Sequence, residues 1–215
     1  MDLHANADLL QTCSDELERL ALEEVHKRRP ALGGVSALVL PVGRGELAIE
    51  MARLGCRVTG CDNNAFEQEL RGRALSAGKA DAISFVVGSL EALPTDLGGP
   101  YDIIYLRRGL CTLPYAAARQ ALKQLIPRLR IGGKLYLSVL GLHSELGERY
   151  PGSDQVIEDR LCNLDPGMAT KYGIHQPVCL YTERNLFMLL LETGASVLRT
   201  FTTTHGSVKG VAVRV

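Results

Sequence analysis

The stretch SALVLPVGRGELAIEMARLGCRVTGCDN, Ser36 to Asn63, decides how the rest of the chain is read. Ala37 to Leu40 is an apolar run suited to a strand buried on both faces, and Gly43-Arg44-Gly45 follows where a helix has to start. Glycines there let the backbone turn tightly and let a ligand approach it. From Glu46 to Leu54 the residues Leu47, Met51 and Leu54 recur at helical spacing, Gly55 ends the helix, and Arg57-Val58-Thr59-Gly60 leads into a second strand. Asp62 then falls where a β-α-β nucleotide fold places the carboxylate that binds ribose hydroxyls. Gly43, Gly45 and Ala48 also satisfy the dinucleotide pattern G-x-G-x-x-A. Two nucleotide-binding classes therefore share this layout, and an ordinary strand-to-helix turn without a ligand is a third reading.

Working outward, residues 12–29 read as an amphipathic helix, with Thr12 and Asp15 as a capping pair and Leu17, Leu20 and Val25 on one face, before Pro30 and Gly33-Gly34 break the chain. Downstream, a helix over 65–77 precedes a third strand, Ile83 to Val87. The Gly98-Gly99-Pro100 turn opens a fourth, Tyr101 to Leu106, and a helix from Tyr115 carries the stripe Ala118, Leu122, Leu125 and Leu129. Ile131-Gly132-Gly133 turns into a fifth strand, Lys134 to Leu140. Residues 141–180 interrupt the alternation, with one helix expected at 154–164, and read as a cap-like insertion. Thr182 caps a last helix ending at Gly194, and strands over 197–204 and 208–215 flank His205-Gly206 closely enough to pair antiparallel. Alternating strands and helices imply a three-layer, doubly wound α/β sheet of seven strands, mostly parallel with the last antiparallel, forming a single domain over 1–215 with residues 1–34 as an N-terminal helical extension.

Composition narrows the function. The chain has 215 residues, 46% apolar and 22% charged, with 24 basic and 24 acidic side chains, so neither a polyanionic partner nor nucleic acid is expected. Its six cysteines form no C-x-x-C pair and no zinc-type spacing with histidine, which implies reduced thiols, no metal and a cytoplasmic setting. No run of apolar residues approaches membrane-spanning length, and the N-terminus does not read as a secretory signal.

Five motifs, VLPVGRGELA at 39–48, VTGCD at 58–62, VVGSLEALP at 86–94, YDIIYLRRG at 101–109 and LRIGGKLYLSV at 129–139, together resemble the class I S-adenosylmethionine-dependent methyltransferases. The terminal TERNLFMLLLETGASVLRTF, 182–201, with its closing strand, is similar to the same family. The resemblance implies a Rossmann-like methyltransferase fold with S-adenosyl-L-methionine as cofactor. It places Gly43, Arg44 and Gly45 at the cofactor's turn, Asp62 on the ribose, Asn63 and Ser89 beside the adenine, the Leu90 amide next to them, and Leu106 and Arg107 at the methionine end.

Three residues depart from the family pattern: Val39 and Ser89 stand where it has acids, and Pro41 where it has the first glycine. Pro41 removes a backbone donor and Val39 offers no charge to the cofactor's ammonium group. Arg44, Arg107 and Arg108 fall at the carboxyl ends of strands, where they either pair with Glu46, Asp62 or Glu91 or hold an anionic ligand. His143, Glu145 and His175 in the insertion are candidate bases, with Tyr150, Tyr172 and Tyr181 also within it or at its edge. The expectation is methyl transfer to a small molecule, anionic in the sharper reading. The alternatives are a non-catalytic relative serving as a binding or interaction protein, and a nucleotide-dependent oxidoreductase.

Overall fold

The computed structural model describes residues 16–32 and 34–215, so the proposed Thr12 and Asp15 cap and Cys13 lie outside the described residues. A helix, α1 (Glu16–Leu32), precedes β1 (Val35–Leu40), α2 (Glu46–Arg53), β2 (Cys56–Asp62), α3 (Glu67–Ser76), β3 (Ile83–Val87) and β4 (Tyr101–Arg107). Then follow α4 (Tyr115–Leu125), β5 (Leu129–Val139), α5 (Pro166–Tyr172), α6 (Glu183–Glu192), β6 (Ser196–Thr202) and β7 (Val208–Val213). The strands form one sheet in the order β3-β2-β1-β4-β5-β7-β6. Strands β1 to β5 pair parallel with one another, and β7 runs antiparallel to both β5 and β6. The antiparallel closing strand read from the sequence is therefore present, inserted one place in from the edge.

Successive side chains of a strand face opposite ways, so β1 feeds two cores at once. Val35, Ala37 and Val39 pack with Leu17, Val25 and Met51 of α1 and α2, together with Tyr105 and Tyr136. Leu38 and Leu40 pack on the other face with Leu122 and Leu125 of α4 and Leu186 and Leu190 of α6. Burying each such leucine contributes about 1.5–3 kcal/mol, which is why a central strand here is apolar throughout rather than alternating.

Polar ties fix α1 across the sheet. Glu24, only 7% exposed, accepts bonds from Arg28 Nε and Lys134 Nζ, each at 2.7 Å. The fully buried Asp102 accepts from the Ser36 amide at 2.9 Å and its hydroxyl at 3.0 Å.

Three expectations need correction. Leu129, placed on the apolar stripe of the helix from Tyr115, instead opens β5, because α4 ends at Leu125 and the strand begins five residues before Lys134. Helix α1 continues to Leu32, past Pro30, where the sequence reading has the chain break. The helix expected over 154–164 is only a short 3-10 turn, Ile157–Asp159. Its backbone groups are engaged elsewhere: the Gln155 carbonyl accepts from the buried Arg160 guanidinium, and Cys162 exchanges backbone bonds with Val178. The helix of this region is α5, where Asp165 caps the Gly167 amide at 2.9 Å and Pro166 occupies the first turn. Leu146, Tyr150, Leu164 and Val178, from the stretch that the sequence reading takes as a cap-like insertion, join the core beneath α4 and α6.

Candidate functional site

Parallel strands end on a common edge, and here that edge carries the glycine turn after β1. Gly43 and Gly45 have φ of 52° and 82°, values that a side chain disfavours. A Cβ on Gly45 would also lie 2.1 Å from Leu70 Cδ1 of α3. Asp62, at the end of β2 and 7% exposed, accepts the Gly43 amide through Oδ2 and the Asn63 amide through Oδ1, both at 2.8 Å. Two of about four carboxylate acceptor sites are thus occupied, which leaves capacity for ribose hydroxyls. The turn and the acid fit the cofactor in this respect. Asn63 is exposed and its Oδ1 accepts from Ala65 at 3.0 Å, while Ser89, also exposed, accepts from the Ala92 amide at 3.3 Å. Leu90 packs over Gly109, where an added Cβ would sit 2.5 Å from its Cδ1.

Beside this turn, on the α1 and α2 face, opens a cavity of about 470 Å³. Val39, Pro41, Val42 and Glu46 form its wall at the turn, Glu16 and Glu18 come from α1, and Arg107, Arg108, Ser138, Lys209 and His205 add further charged and polar lining, beside the hydroxyls of the β6–β7 turn. Arg107, Ser138 and Lys209 are register partners across β4, β5 and β7, so they stand side by side on one face. Leu106 alternates to the other face and is fully buried, and neither it nor Asp62 lines this cavity. Arg108 sits at φ 54° in the turn leaving β4.

The ion pairs differ from those expected. Arg107 meets Glu18 of α1 at 3.1 Å, Arg44 meets Glu69 of α3 at 3.7 Å, and Glu46 is taken by Arg73 at 2.5 Å. Asp62 is bonded to amides, and Glu18 reaches Arg107 only because α1 folds back over the sheet.

A second cavity, about 240 Å³, is lined by His143, Glu145, Tyr172, Thr204, His205 and Ser207 among others. Glu145 accepts bonds from Lys171 and Tyr172. The Lys171 bond first and the Tyr172 bond second hold the Glu145 carboxyl below the usual range, which weakens it as a proton acceptor. His175 is exposed and lines neither cavity. His205, Thr204 and Ser207 line both, because the β6–β7 turn lies beside the end of β5.

Sequence reasoning passed over Glu18, Ser138, His205 and Lys209. The available signal was one lysine and one serine interrupting apolar strands, VKGVAV and LYLSV. Among the described residues, no group of three or more His, Cys, Asp or Glu is arranged to hold a metal ion, and no helix is long and apolar enough to cross a membrane.

Comparison with known proteins agrees with the architecture. A family model described as a methyltransferase domain matches residues 37–133, and no curated protein matches the chain. A solved S-adenosylmethionine-dependent methyltransferase from Methanosarcina mazei is 21% identical with a TM-score of 0.64, over 85% of this chain and 93% of that one. A Pyrococcus horikoshii OT3 protein is 16% identical with a TM-score of 0.67, over 95% and 93%. An O-methyltransferase candidate from Nostoc punctiforme PCC 73102 is 16% identical with a TM-score of 0.64, over 92% of this chain. The chain spans 57% of that last protein's length. Identities this low establish the fold and leave the acceptor open. Residues 37–133 thus match a methyltransferase domain, and the seven-stranded sheet with its antiparallel strand inserted beside β5 has the fold of the solved S-adenosylmethionine-dependent methyltransferase it resembles.

Proposed function

We propose that the chain binds S-adenosyl-L-methionine at the Gly43–Gly45 turn and directs methyl transfer to a small molecule seated in the cavity of about 470 Å³. The observation that carries this reading is that the cavity shares a wall with the turn, through Val39, Pro41, Val42 and Glu46. When bound, the cofactor supplies an electrophilic methyl group, and the protein's part is alignment and, for an oxygen or nitrogen acceptor, removal of a proton. Gly43, Arg44, Gly45, Asp62, Asn63, Ser89, Leu90 and Leu106 remain the proposed cofactor residues, while Arg107, which the resemblance puts at the methionine end, lines the acceptor cavity. Of these, Asp62 would take ribose hydroxyls while keeping the turn in shape through the Gly43 amide. Among candidate bases, His205 borders both cavities, His143 and Glu145 border the smaller one, and His175 would have to act from outside either.

Calorimetry with S-adenosylmethionine and S-adenosylhomocysteine tests this directly. Binding should raise the melting temperature, since a ligand at 100 times its Kd stabilises the folded state by about 2.7 kcal/mol. It should weaken in Asp62→Ala, where a charge-assisted hydrogen bond worth about 1.5–3 kcal/mol is lost. No heat and no thermal shift at millimolar ligand would reject the reading. The alternative, a non-catalytic relative, is favoured by one observation: both oxygens of the retained acid already serve the protein's own backbone, while Val39 supplies no carboxylate. In that case the cavity would bind its small molecule with no cofactor dependence.

A further inference from the structure

We propose that Arg107, Ser138 and Lys209 form a carboxylate subsite, so that the molecule occupying the main cavity carries a single carboxylate. The three side chains are adjacent in register on β4, β5 and β7 and all line the cavity. Lys209 is 6% exposed and Ser138 3% exposed, so a cation and a hydroxyl have been placed at depth rather than on a solvated rim. Among the described residues, the Ser138 hydroxyl has no hydrogen-bond partner. A buried hydroxyl left unpaired is costly, and a carboxylate oxygen is the acceptor that would satisfy it. Because Oγ is covered in the ligand-free protein, the ligand has to part the side chains above it.

The surroundings select the charge. Glu16, Glu18 and Glu46 line the same cavity as Arg107, Arg108 and Lys209, and Glu18 already meets Arg107 at 3.1 Å. Acids and permanent cations are balanced, so a monoanion is accommodated more readily than a phosphate dianion. Arginine retains further donors in its planar fork after one bond to Glu18, and these can engage a second carboxylate.

Position assigns the carboxylate to the acceptor rather than to the cofactor's amino-acid end. Lys209 lies on β7, three strand spacings from β1 and its glycine turn, or about 14 Å across the sheet. The assignment to an acceptor rests on the methyltransferase reading; the anion site itself does not.

The test titrates the ligand-free chain with benzoate, benzamide and inorganic phosphate by calorimetry, and repeats the benzoate titration with S-adenosylhomocysteine at saturation. Benzoate should bind, phosphate should bind at least tenfold more weakly, and uncharged benzamide should not compete. Lys209→Met should weaken benzoate at least tenfold and Ser138→Ala about three- to tenfold. Ser138→Ala removes only one oxygen atom from an unpaired group, so it should fold even where Lys209→Met does not, and circular dichroism checks both. Absence of benzoate binding, or equal affinity in wild type and Ser138→Ala, overturns the subsite. Displacement of benzoate by S-adenosylhomocysteine overturns the acceptor assignment. Benzoate binding without any S-adenosylhomocysteine binding removes the methyltransferase reading and leaves the anion site intact.

Discussion

The Asp62 carboxylate accepts the backbone amide of Gly43 at 2.8 Å, tying the end of β2 to the turn after β1 across 19 residues of sequence. The residue marked by its motif as a ribose acid is thus also a structural member of the turn. Asp62→Ala should therefore lower the stability of the ligand-free chain, by about 1.5–3 kcal/mol for a charge-assisted bond to a buried acceptor. Urea unfolding without cofactor measures this. A variant as stable as wild type would mean that the Gly43 and Asn63 amides find other partners.

Gly45→Ala combines two penalties, a left-handed backbone at φ 82° and a Cβ 2.1 Å from Leu70 Cδ1. The backbone cost alone is about 1 kcal/mol, and forcing a methyl into a filled core costs about 1–3 kcal/mol more. Leu70 is 1% exposed, so it cannot swing into solvent without loss. In a double-mutant cycle, Leu70→Ala should remove most of the steric part and leave the backbone part, giving a coupling of about 1 kcal/mol or more. Strict additivity would place the whole cost in the backbone.

The acid limb of stability should be sensitive to Glu24. Burial alone pushes its carboxyl up, but bonds from Lys134 and Arg28, with their charges, outweigh this and hold the group below its ordinary value of 4.5. A folded-state value below the unfolded one contributes stability that is present above about pH 4.5 and is lost as pH falls through the lowered value. Glu24→Gln should accordingly be less stable than wild type at pH 7, by about 1–3 kcal/mol given hydrogen bonds to charged partners. The gap should narrow as pH drops below 4.5. Urea midpoints at several pH values report it, and a gap independent of pH would assign the loss to packing.

Buried thiols should be inert. Burial pushes Cys111 and Cys56 up to about 12 and Cys61 and Cys179 up to about 11, so their thiolate fraction at pH 8 is about one in a thousand or less. Cys162 is only half-buried. Brief alkylation of the native chain followed by peptide mass spectrometry should mark Cys162 ahead of these four. Equal labelling of Cys111 would show that the core under α4 opens on the labelling timescale.

Arg160 is 7% exposed and bridges the Leu180 carbonyl at 3.1 Å, Asn185 Oδ1 at 2.9 Å and the Gln155 carbonyl at 2.8 Å. Arg160→Lys cannot span three acceptors with one ammonium, so the 141–180 segment should loosen before the sheet does. Hydrogen exchange should show lost protection at Cys162 and Val178, whose amides pair with each other's carbonyls. Unchanged protection there would mean the guanidinium is dispensable.

Much of the fold is legible because its causes are local. The run Ala37 to Leu40, the glycines at 43 and 45, and the spacing of Leu122 and Leu125 specify strand, turn and helix within a few residues, and Thr182 caps α6 in a reciprocal pair with Asn185 that lies three positions away. The misplaced helix at 154–164 shows the limit: the sequence there is compatible with a helix, but a buried arginine and a bridge to Val178 claim its backbone groups from outside the window.

By itself, then, the sequence determined the alternation of strands and helices, the turn after β1, the acid at the end of β2 and the family they resemble, since each depends on neighbours within one or two turns of chain. Only the tertiary structure decided what lies beside them. Arg107, Ser138 and Lys209 are separated by 31 and 71 residues and meet solely because β7 inserts next to β5, and Glu18 reaches Arg107 over 89 residues because α1 packs back on the sheet. Register between distant strands is set by the summed burial of two whole faces, and no window of sequence contains that sum.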